Sequence, residues 1–270
     1  MGKVCTDRQL PPRLPVALAR CIVSLGVGLI SAVGCQSDDY TIGAFPAVDP
    51  SCNHWLGDPS VVLCSGFEQP AFPEWGATFT YGAASLELAS DRVLSGTTAL
   101  HASSQAQEST AVLQHEFSPL QTGTMHLRVY IYVPSGPITS AMNLLFWGHD
   151  PNPVSNAAFV GTDINLENGA LQVFSPQNSP DRITSDQAIP RDEWFCMRAE
   201  VALGSDGTGQ LVLLIDEEPV LTLDSFTTVT TEGIGMLRAG IDWSSAQAEP
   251  FEVYMDDLVL STTPAGCALP

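Results

Sequence analysis

Lysine is almost absent from this sequence. The single lysine, Lys3, lies near the N-terminus, and the 270 residues carry ten basic against 30 acidic side chains. From residue 35 onward the chain keeps six arginines against 29 acids, a net charge of −23. Nucleic acid and anionic lipid are bound through Lys and Arg that neutralise phosphate, so this composition argues against both as direct partners. A polyanionic substrate is disfavoured for the same reason.

The sequence also lacks an apolar run long enough to cross a membrane. The uncharged stretch from Cys21 to Val33 has 13 residues, whereas a membrane span needs about 20. Basic residues precede it and small residues follow it, which is typical of a secretory signal. We therefore predict that residues 1–34 are a signal peptide and that residues 35–51, rich in polar residues and proline, are a flexible tether.

The residues that end the apolar run, Ala32-Val33-Gly34-Cys35, resemble the bacterial lipobox. The first position of a lipobox is usually Leu, and here it is Ala32. The resemblance implies a lipid-anchored protein, with palmitate among the acyl chains on Cys35 and a long-lived hold on the membrane. Gln36 after the cysteine favours the outer membrane or cell surface. The alternative is ordinary cleavage nearby, with Cys35 a spare thiol.

Four cysteines follow in the mature chain, an even number in an exported protein, and they predict two disulfides with three possible pairings. Cys64 precedes the first predicted strand and Cys267 follows the last. We therefore favour Cys64–Cys267, which leaves Cys52–Cys196. The cysteines lack the close spacing of a zinc site.

Helical periodicity is missing from residue 52 onward. Segments of five to nine residues instead alternate apolar and polar side chains between Gly, Pro, Asn and Asp, which predicts an all-β antiparallel sandwich over residues 52–270. Asn168-Gly169 is a strong hairpin signal, and Asp206-Gly207 lies between two strands. The predicted strands are 125–133, 142–149, 170–175, 194–203, 210–216, 220–223, 235–243 and 251–260.

Three segments resemble a known family when they are taken in order. Cys64-Ser-Gly-Phe-Glu68 opens the domain, Trp194-Phe-Cys-Met-Arg-Ala-Glu200 is followed by a hairpin, and Val253-Tyr-Met-Asp-Asp-Leu-Val-Leu260 closes it. This arrangement resembles the concanavalin-A-like (laminin-G-like) jelly roll of bacterial glycan-active proteins and lectin-like modules. The resemblance implies a jelly roll with a concave sheet over about residues 60–265.

Alternation places several polar and aromatic side chains on outward faces of strands that this resemblance assigns to the concave sheet. Arginines beside carboxylates and aromatic rings suit a sugar site. The alternative is that the arginines form surface ion pairs that only solvate the sheet. The predicted ligand-binding residues are Arg128, Tyr130, Tyr132, Trp147, Arg198, Glu200, Arg238 and Asp242.

Catalytic signatures are missing. The chain has no E-x-D-x-E run of the kind that glycosidases of this fold carry, and no Gly-x-Ser-x-Gly elbow or His-Glu-x-x-His helix. The segment 236–243 loosely resembles a strand of jelly-roll alginate lyases, but Asp242 stands where their tyrosine would. His115, His126 and His149 are candidate bases. We predict no catalytic residues.

A structural calcium site is a further expectation. In jelly rolls of this kind the first and last strands pair, which would bring Glu68 towards Asp256 and Asp257, and hard oxygen ligands suit Ca²⁺. The alternative is that the two aspartates mark a bulge. The sequence as a whole predicts a membrane-anchored lipoprotein of the cell envelope whose jelly roll binds a glycan without catalysis. A polysaccharide lyase or glycoside hydrolase of the same fold, or a ligand-free scaffold or adhesion module, is the alternative.

Overall fold

A computed structural model of the chain describes residues 50–105, 108–149, 160–245 and 249–269. The predicted signal peptide, Cys35 and nearly all of the predicted tether lie outside these residues. Within them, no helix is long and apolar enough to cross a membrane.

The described residues form two antiparallel β-sheets after a short 3-10 helix, Pro50–Trp55. The strands are β1 (Val61–Ser65), β2 (Ala77–Tyr81), β3 (Ala84–Ala89), β4 (Ala99–Ser104), β5 (Ser109–Leu120), β6 (Thr124–Tyr132), β7 (Met142–His149), β8 (Val160–Glu167), β9 (Ala170–Ser175), β10 (Ser179–Ala188), β11 (Trp194–Ala202), β12 (Gly209–Ile215), β13 (Glu218–Phe226), β14 (Ile234–Ser244) and β15 (Phe251–Ser261).

The two sheets pack face to face as a sandwich. Sheet A has the order β13-β12-β11-β6-β15-β4-β3, with β1 also paired to β15, and sheet B has the order β10-β9-β8-β7-β14-β5-β2. Every strand pairing is antiparallel. The predicted all-β sandwich is confirmed, and each of the eight predicted strands overlaps an observed one.

The core lies between the sheets and follows the predicted alternation. Leu127, Val129 and Ile131 of β6 are at most 1% exposed and belong to the core. The alternate residues of β11 and β14 that the pattern predicts to point inward do the same: Phe195, Met197, Ala199, Val201, Leu237, Ala239 and Ile241. Apolar side chains on one face of each strand are thus removed from water, which is the main stabilising contribution in a sandwich of this kind.

Turn chemistry closes the hairpins where the sequence indicates. Asn168 and Gly169 have φ values of 52° and 77° between β8 and β9, the left-handed pair that a two-residue hairpin requires. Asp216 and Glu217 adopt φ values of 50° and 69° between β12 and β13 without any glycine. Their carboxylates offset this strain, because Asp216 accepts a hydrogen bond from the Cys196 N–H at 2.9 Å and Glu217 accepts one from Cys267 N–H at 2.6 Å.

The predicted disulfide pairing is wrong. The structure joins Cys52 to Cys64 and Cys196 to Cys267. After β15 the chain crosses the outer face of sheet A towards β11, so Cys267 meets Cys196 instead of Cys64. The first disulfide ties the 3-10 helix to β1, and the second ties the C-terminal segment to β11.

Candidate functional site

The predicted ligand-binding residues do not share one groove. Arg128, Tyr130 and Tyr132 lie on β6 with Arg198 and Glu200 beside them on β11, all in sheet A. Arg238 and Asp242 lie on β14 in sheet B. Alternation states which side chains point outward from a strand but not which sheet the strand joins, so residues predicted as neighbours are on opposite faces of the sandwich.

The C-terminal segment lies against the sheet A group. Tyr130 donates its hydroxyl hydrogen to the Cys267 carbonyl, and Arg128 Nη1 donates to the Gly266 carbonyl at 3.1 Å. Arg198 binds Glu217 and, at 2.6 Å, Glu200. These side chains hold a chain segment in place, and the first two are at most 8% exposed.

Tyr132 belongs to a separate aromatic group on the same face. Arg92 donates to the Tyr132 hydroxyl at 2.7 Å and lies 4.6 Å from the centroid of its ring. The Trp194 ring also packs against the Tyr132 ring, with the two ring centroids 5.7 Å apart. Tyr132 therefore points outward as predicted, but it is engaged by neighbouring side chains.

Trp147 was predicted to face a ligand, and this prediction is wrong. Its side chain is 1% exposed and packs in the core. The register of β7 against β8 shifts between Asn143 and Leu145, so Leu144 and Leu145 both contact the core. Phe146, and not Trp147, therefore points to the outer face of sheet B.

The outer face of sheet B brings together a set of polar and aromatic side chains, which we call the sheet B site. One row of residues in register runs from β5 to β9 and comprises Gln114, Arg238, Phe146, Asp163 and Phe174. A second row runs from β14 to β10 and comprises Trp243, Asn143, Asn165, Gln172 and Thr184. Two rows of outward side chains thus cross neighbouring strands of one face.

Arg238 is the centre of a hydrogen-bond network at this site. Its Nε donates to Gln114 Oε1 at 2.8 Å, and its Nη1 donates to Asp242 Oδ1 at 2.8 Å. Gln114 in turn donates to Glu116 at 2.9 Å. The side chains of Arg238 and Asp242 are only 11% and 10% exposed, so this ion pair is shielded from screening by salt.

A glycine in β14 makes this ion pair possible. Gly240 lies between Arg238 and Asp242 with φ +127°, and a Cβ there would approach the Ala111 carbonyl oxygen to 2.3 Å. Gly240 lies within the segment, between Ala239 and Trp243, where the register of β14 against β7 shifts. Any larger residue would strain the strand where the site is built.

Asp163 of β8 is a buried carboxyl of the site with a perturbed pKa. Burial, followed by repulsion from Asp242, raises its pKa to about 7; the hydrogen bond from Asn143 and the charges of Arg182 and Arg238 act in the opposite direction. Burial likewise raises the pKa of Asp242, against the lowering effect of Arg238. Near neutral pH, Asp163 can therefore gain or release a proton.

The second row contains buried amides with unused hydrogen-bonding capacity. Asn165 is fully buried, and neither its Oδ1 nor its Nδ2 has a hydrogen-bond partner in the described part of the chain. Gln172 Oε1 and Asn143 Oδ1 are also buried without a hydrogen-bond partner in the described residues. Unpaired buried polar atoms cost stability unless water or a ligand binds them.

Aromatic rings border the polar rows. Arg182 of β10 lies 5.7 Å from the Phe174 ring centroid and 6.0 Å from that of Trp243. At the opposite edge, Phe79 and Tyr81 of β2 are 43% and 67% exposed. Phe79 also lies under the Arg238 guanidinium, 5.4 Å from it. The sheet B site thus combines donors, acceptors and ring faces.

Asp256 and Glu68 bind one loop at two different points. Asp256 accepts hydrogen bonds from the Leu94 and Ser95 N–H groups at 3.0 and 3.2 Å, and Glu68 accepts from the Thr97 and Thr98 N–H groups at 2.8 and 3.2 Å. The register of β15 shifts next to Asp257, whose φ is +44°. The described residues hold no group of three metal-ligating side chains, and calcium stays a prediction.

Sequence reasoning found Arg238 and Asp242 but missed the rest of the sheet B site. The alternation in Val160-Gly-Thr-Asp-Ile-Asn-Leu-Glu167 would have indicated it, because Ile164 and Leu166 point into the core and Asp163 and Asn165 point outward. That segment was not among the predicted strands. Gln172 lay in a predicted strand, but its face was not assigned.

Comparisons with known proteins show the fold. No family model matches the chain, and no curated protein matches it. Among solved structures, the endo-β-1,4-glucuronan lyase from the fungus Trichoderma reesei superposes with a TM-score of 0.60 and 14% identity, over 76% of this chain and 96% of that one. The cellulose induced protein Cip1 gives 0.51 and 13%, over 71% and 94%.

A third solved structure, the binding domain of botulinum neurotoxin serotype C1, has a TM-score of 0.51 at 7% identity, over 76% of this chain and 49% of that one. These proteins are jelly-roll sandwiches, and the present chain has the same fold. Function has to be argued from its own residues, because one fold hosts unrelated activities.

Proposed function

We propose that this protein is a membrane-anchored lipoprotein of the bacterial cell envelope whose jelly roll binds carbohydrate at the sheet B site. The observation that carries the binding proposal is the row of buried amides with unpaired polar atoms, led by Asn165, beside the Arg238 network. Sugar hydroxyls both donate and accept hydrogen bonds, so they would satisfy these atoms.

The aromatic rings of the site support the same proposal. Phe79 and Tyr81 present exposed rings at the edge of the face. Trp243 lies at the β14 end of the second row, beside Arg182. A pyranose ring has an apolar side that packs on aromatic faces. The jelly-roll fold, shared with a polysaccharide lyase, is compatible with a ligand of this kind.

Membrane attachment rests on the sequence around Cys35. The basic segment, the apolar run and the small residues before Cys35 support a lipid-anchored protein whose jelly roll is held at the envelope by a tether. The membrane is then a partner through the lipid alone. The four paired cysteines suit an oxidising compartment.

A matched pair of variants tests the binding site. On a glycan array, the protein is expected to bind at least one carbohydrate, and Trp243→Ala should weaken this binding at least tenfold. Trp194→Ala, an equivalent change on the outer face of sheet A, should leave it unchanged. Phe79→Ala is a further test at an exposed position where folding is not at risk. An array without any bound glycan would favour a scaffold or adhesion module.

Asp163 favours a second candidate function, cleavage of a polysaccharide. A buried carboxyl with a pKa of about 7 beside a second carboxyl, Asp242, suits proton transfer at neutral pH. Incubation with a polysaccharide panel, monitored for reducing ends and unsaturated products, tests this function. Products that disappear with Asp163→Asn would support it, and no products from any polysaccharide would leave binding alone.

A further inference from the structure

We propose that the sheet B site selects neutral, hydroxyl-rich sugar units and rejects uronic acids. This inference rests on the proposed carbohydrate binding and specifies its ligand class. It stands on the unpaired polar atoms of Asn143, Asn165 and Gln172 and on the charged side chains around them.

The buried unpaired atoms of the site, within the described residues, are mostly acceptors. They comprise the side-chain oxygens of Asn143, Asn165 and Gln172 and a single donor group, the Asn165 NH₂. The Asn143 NH₂ is used, because it donates to Asp163 Oδ1 at 3.0 Å. The Gln172 NH₂ is also used, because it donates to Thr184 Oγ1 at 3.0 Å. A hydroxyl at C6 of a neutral sugar can donate to this row, whereas the C6 carboxylate of a uronic acid can only accept.

Arg238, at the centre of the network, is already hydrogen-bonded. Arg238 uses Nε for Gln114 and Nη1 for Asp242. The Arg182 guanidinium lies within 6.0 Å of two aromatic ring centroids. Arg238 therefore lacks the unoccupied fork of N–H donors with which an arginine binds a carboxylate in two places.

Acidic groups outnumber basic ones around the row. Asp163, Asp242 and Glu116 share the face with Arg182 and Arg238. Above about pH 7, where Asp163 is ionised, the carboxylate of a uronic acid would add a further negative charge beside Asp163 and Asp242. Repulsion between like charges in a poorly hydrated site opposes binding.

The buried Asn165 amide should affect both ligand binding and the stability of the folded protein. Its amide is fully buried and unpaired within the described residues, so the ligand-free protein pays a cost that a bound hydroxyl would remove. A ligand reaches this buried amide only after side chains of the face move, and the exposed Arg182 side chain beside Trp243 can do so within nanoseconds. Asn165→Leu should therefore abolish binding and raise the midpoint of urea unfolding.

The experiment compares each uronic-acid oligosaccharide with its carboxyl-reduced product, which carries a C6 alcohol and is otherwise identical. Binding of the full-length protein is measured calorimetrically for pairs derived from glucuronan, polygalacturonate and polymannuronate. We expect the reduced member of at least one pair to bind at least tenfold more tightly than its acidic parent. Asn165→Leu should lose this binding, whereas Thr162→Val, an isosteric change on the core side of the same strand, should keep it.

The outcomes separate the two proposals. Equal or tighter binding of the acidic members overturns the selectivity and leaves carbohydrate binding in place. Full binding by Asn165→Leu overturns the role of the amide row. An absence of binding to every member of every pair and to the glycan array overturns the proposed function itself.

Discussion

Arg182 and Trp243 are in contact although three strands separate them in sheet B. Arg182 lies on β10 and Trp243 on β14, and the guanidinium is 6.0 Å from the indole centroid. Neighbouring strands are about 4.8 Å apart, so the two side chains must converge over the strands between them. Those strands carry Asn143, Asn165 and Gln172, the residues with unpaired polar atoms. This convergence makes sheet B the face on which we place the ligand.

The protonation of Asp163 should make stability depend on pH. Its pKa is about 7 in the folded protein against 3.8 ordinarily, so between these values the folded state holds a proton that the unfolded state has released. The free energy of unfolding should consequently fall as pH rises from about 4 to about 7. Asp163→Asn should reduce this fall by on the order of 2 kcal/mol, as measured by urea denaturation across pH.

Asp181→Asn, at an exposed position of β10, is the matched control and should leave the pH profile as in the wild type. Asp256 also has its pKa raised to about 7, mainly by burial. A remaining slope in Asp163→Asn should therefore decrease further in the double variant with Asp256→Asn, while Asp242, whose pKa burial also raises, keeps part of it. Identical profiles for Asp163→Asn and the wild type would contradict the buried environment of Asp163.

The bulge at Gly240 should tolerate no side chain. In Gly240→Ala the new Cβ would lie 2.3 Å from the Ala111 carbonyl oxygen at a φ of +127°, so we expect a loss of about 2 kcal/mol or more. Gly123→Ala is the control, because Gly123 also has a positive φ but no atom within 4 Å of the added Cβ. Its cost should be about 1 kcal/mol. Equal losses in the two variants would show that the close approach at Gly240 is unimportant.

The two disulfides should differ in their contribution to stability. The cysteines of the Cys196–Cys267 disulfide are 71 residues apart in the sequence, and those of the Cys52–Cys64 disulfide are 12 residues apart. Replacing both cysteines by Ala should cost about 4 kcal/mol for the first disulfide and about 3 kcal/mol for the second, as measured by urea denaturation. Peptide mapping under non-reducing conditions checks the pairing itself, and a Cys64–Cys267 peptide would refute it.

Lipidation of Cys35 should be detectable directly. In a bacterial host, Cys35→Ser should abolish incorporation of labelled palmitate and release the protein from the membrane fraction. Cys21→Ser, a change inside the apolar run, should keep both. Labelling that persists in Cys35→Ser would mean that the anchor lies elsewhere or that no lipoprotein signal exists.

The sequence predicts the sandwich well because alternation depends only on local residues. The inward and outward sets of β6, β11 and β14 were assigned correctly, and so were the turns at Asn168-Gly169 and Asp206-Gly207. Long-range pairing is not encoded locally, and this explains both the wrong disulfides and the false grouping of Arg198 with Arg238. The bulge after Asn143 further moved Trp147 into the core.

A fluorine reporter on each tryptophan tests the central claim most directly. Trp243 lies on the outer face of sheet B, Trp194 on that of sheet A, and Trp147 in the core. In protein labelled with 5-fluorotryptophan, with signals assigned by Trp→Phe variants, titration with a carbohydrate ligand should shift the Trp243 resonance and leave those of Trp194 and Trp147 in place. A shift of Trp194 with an unmoved Trp243 would place the ligand on sheet A and contradict this account.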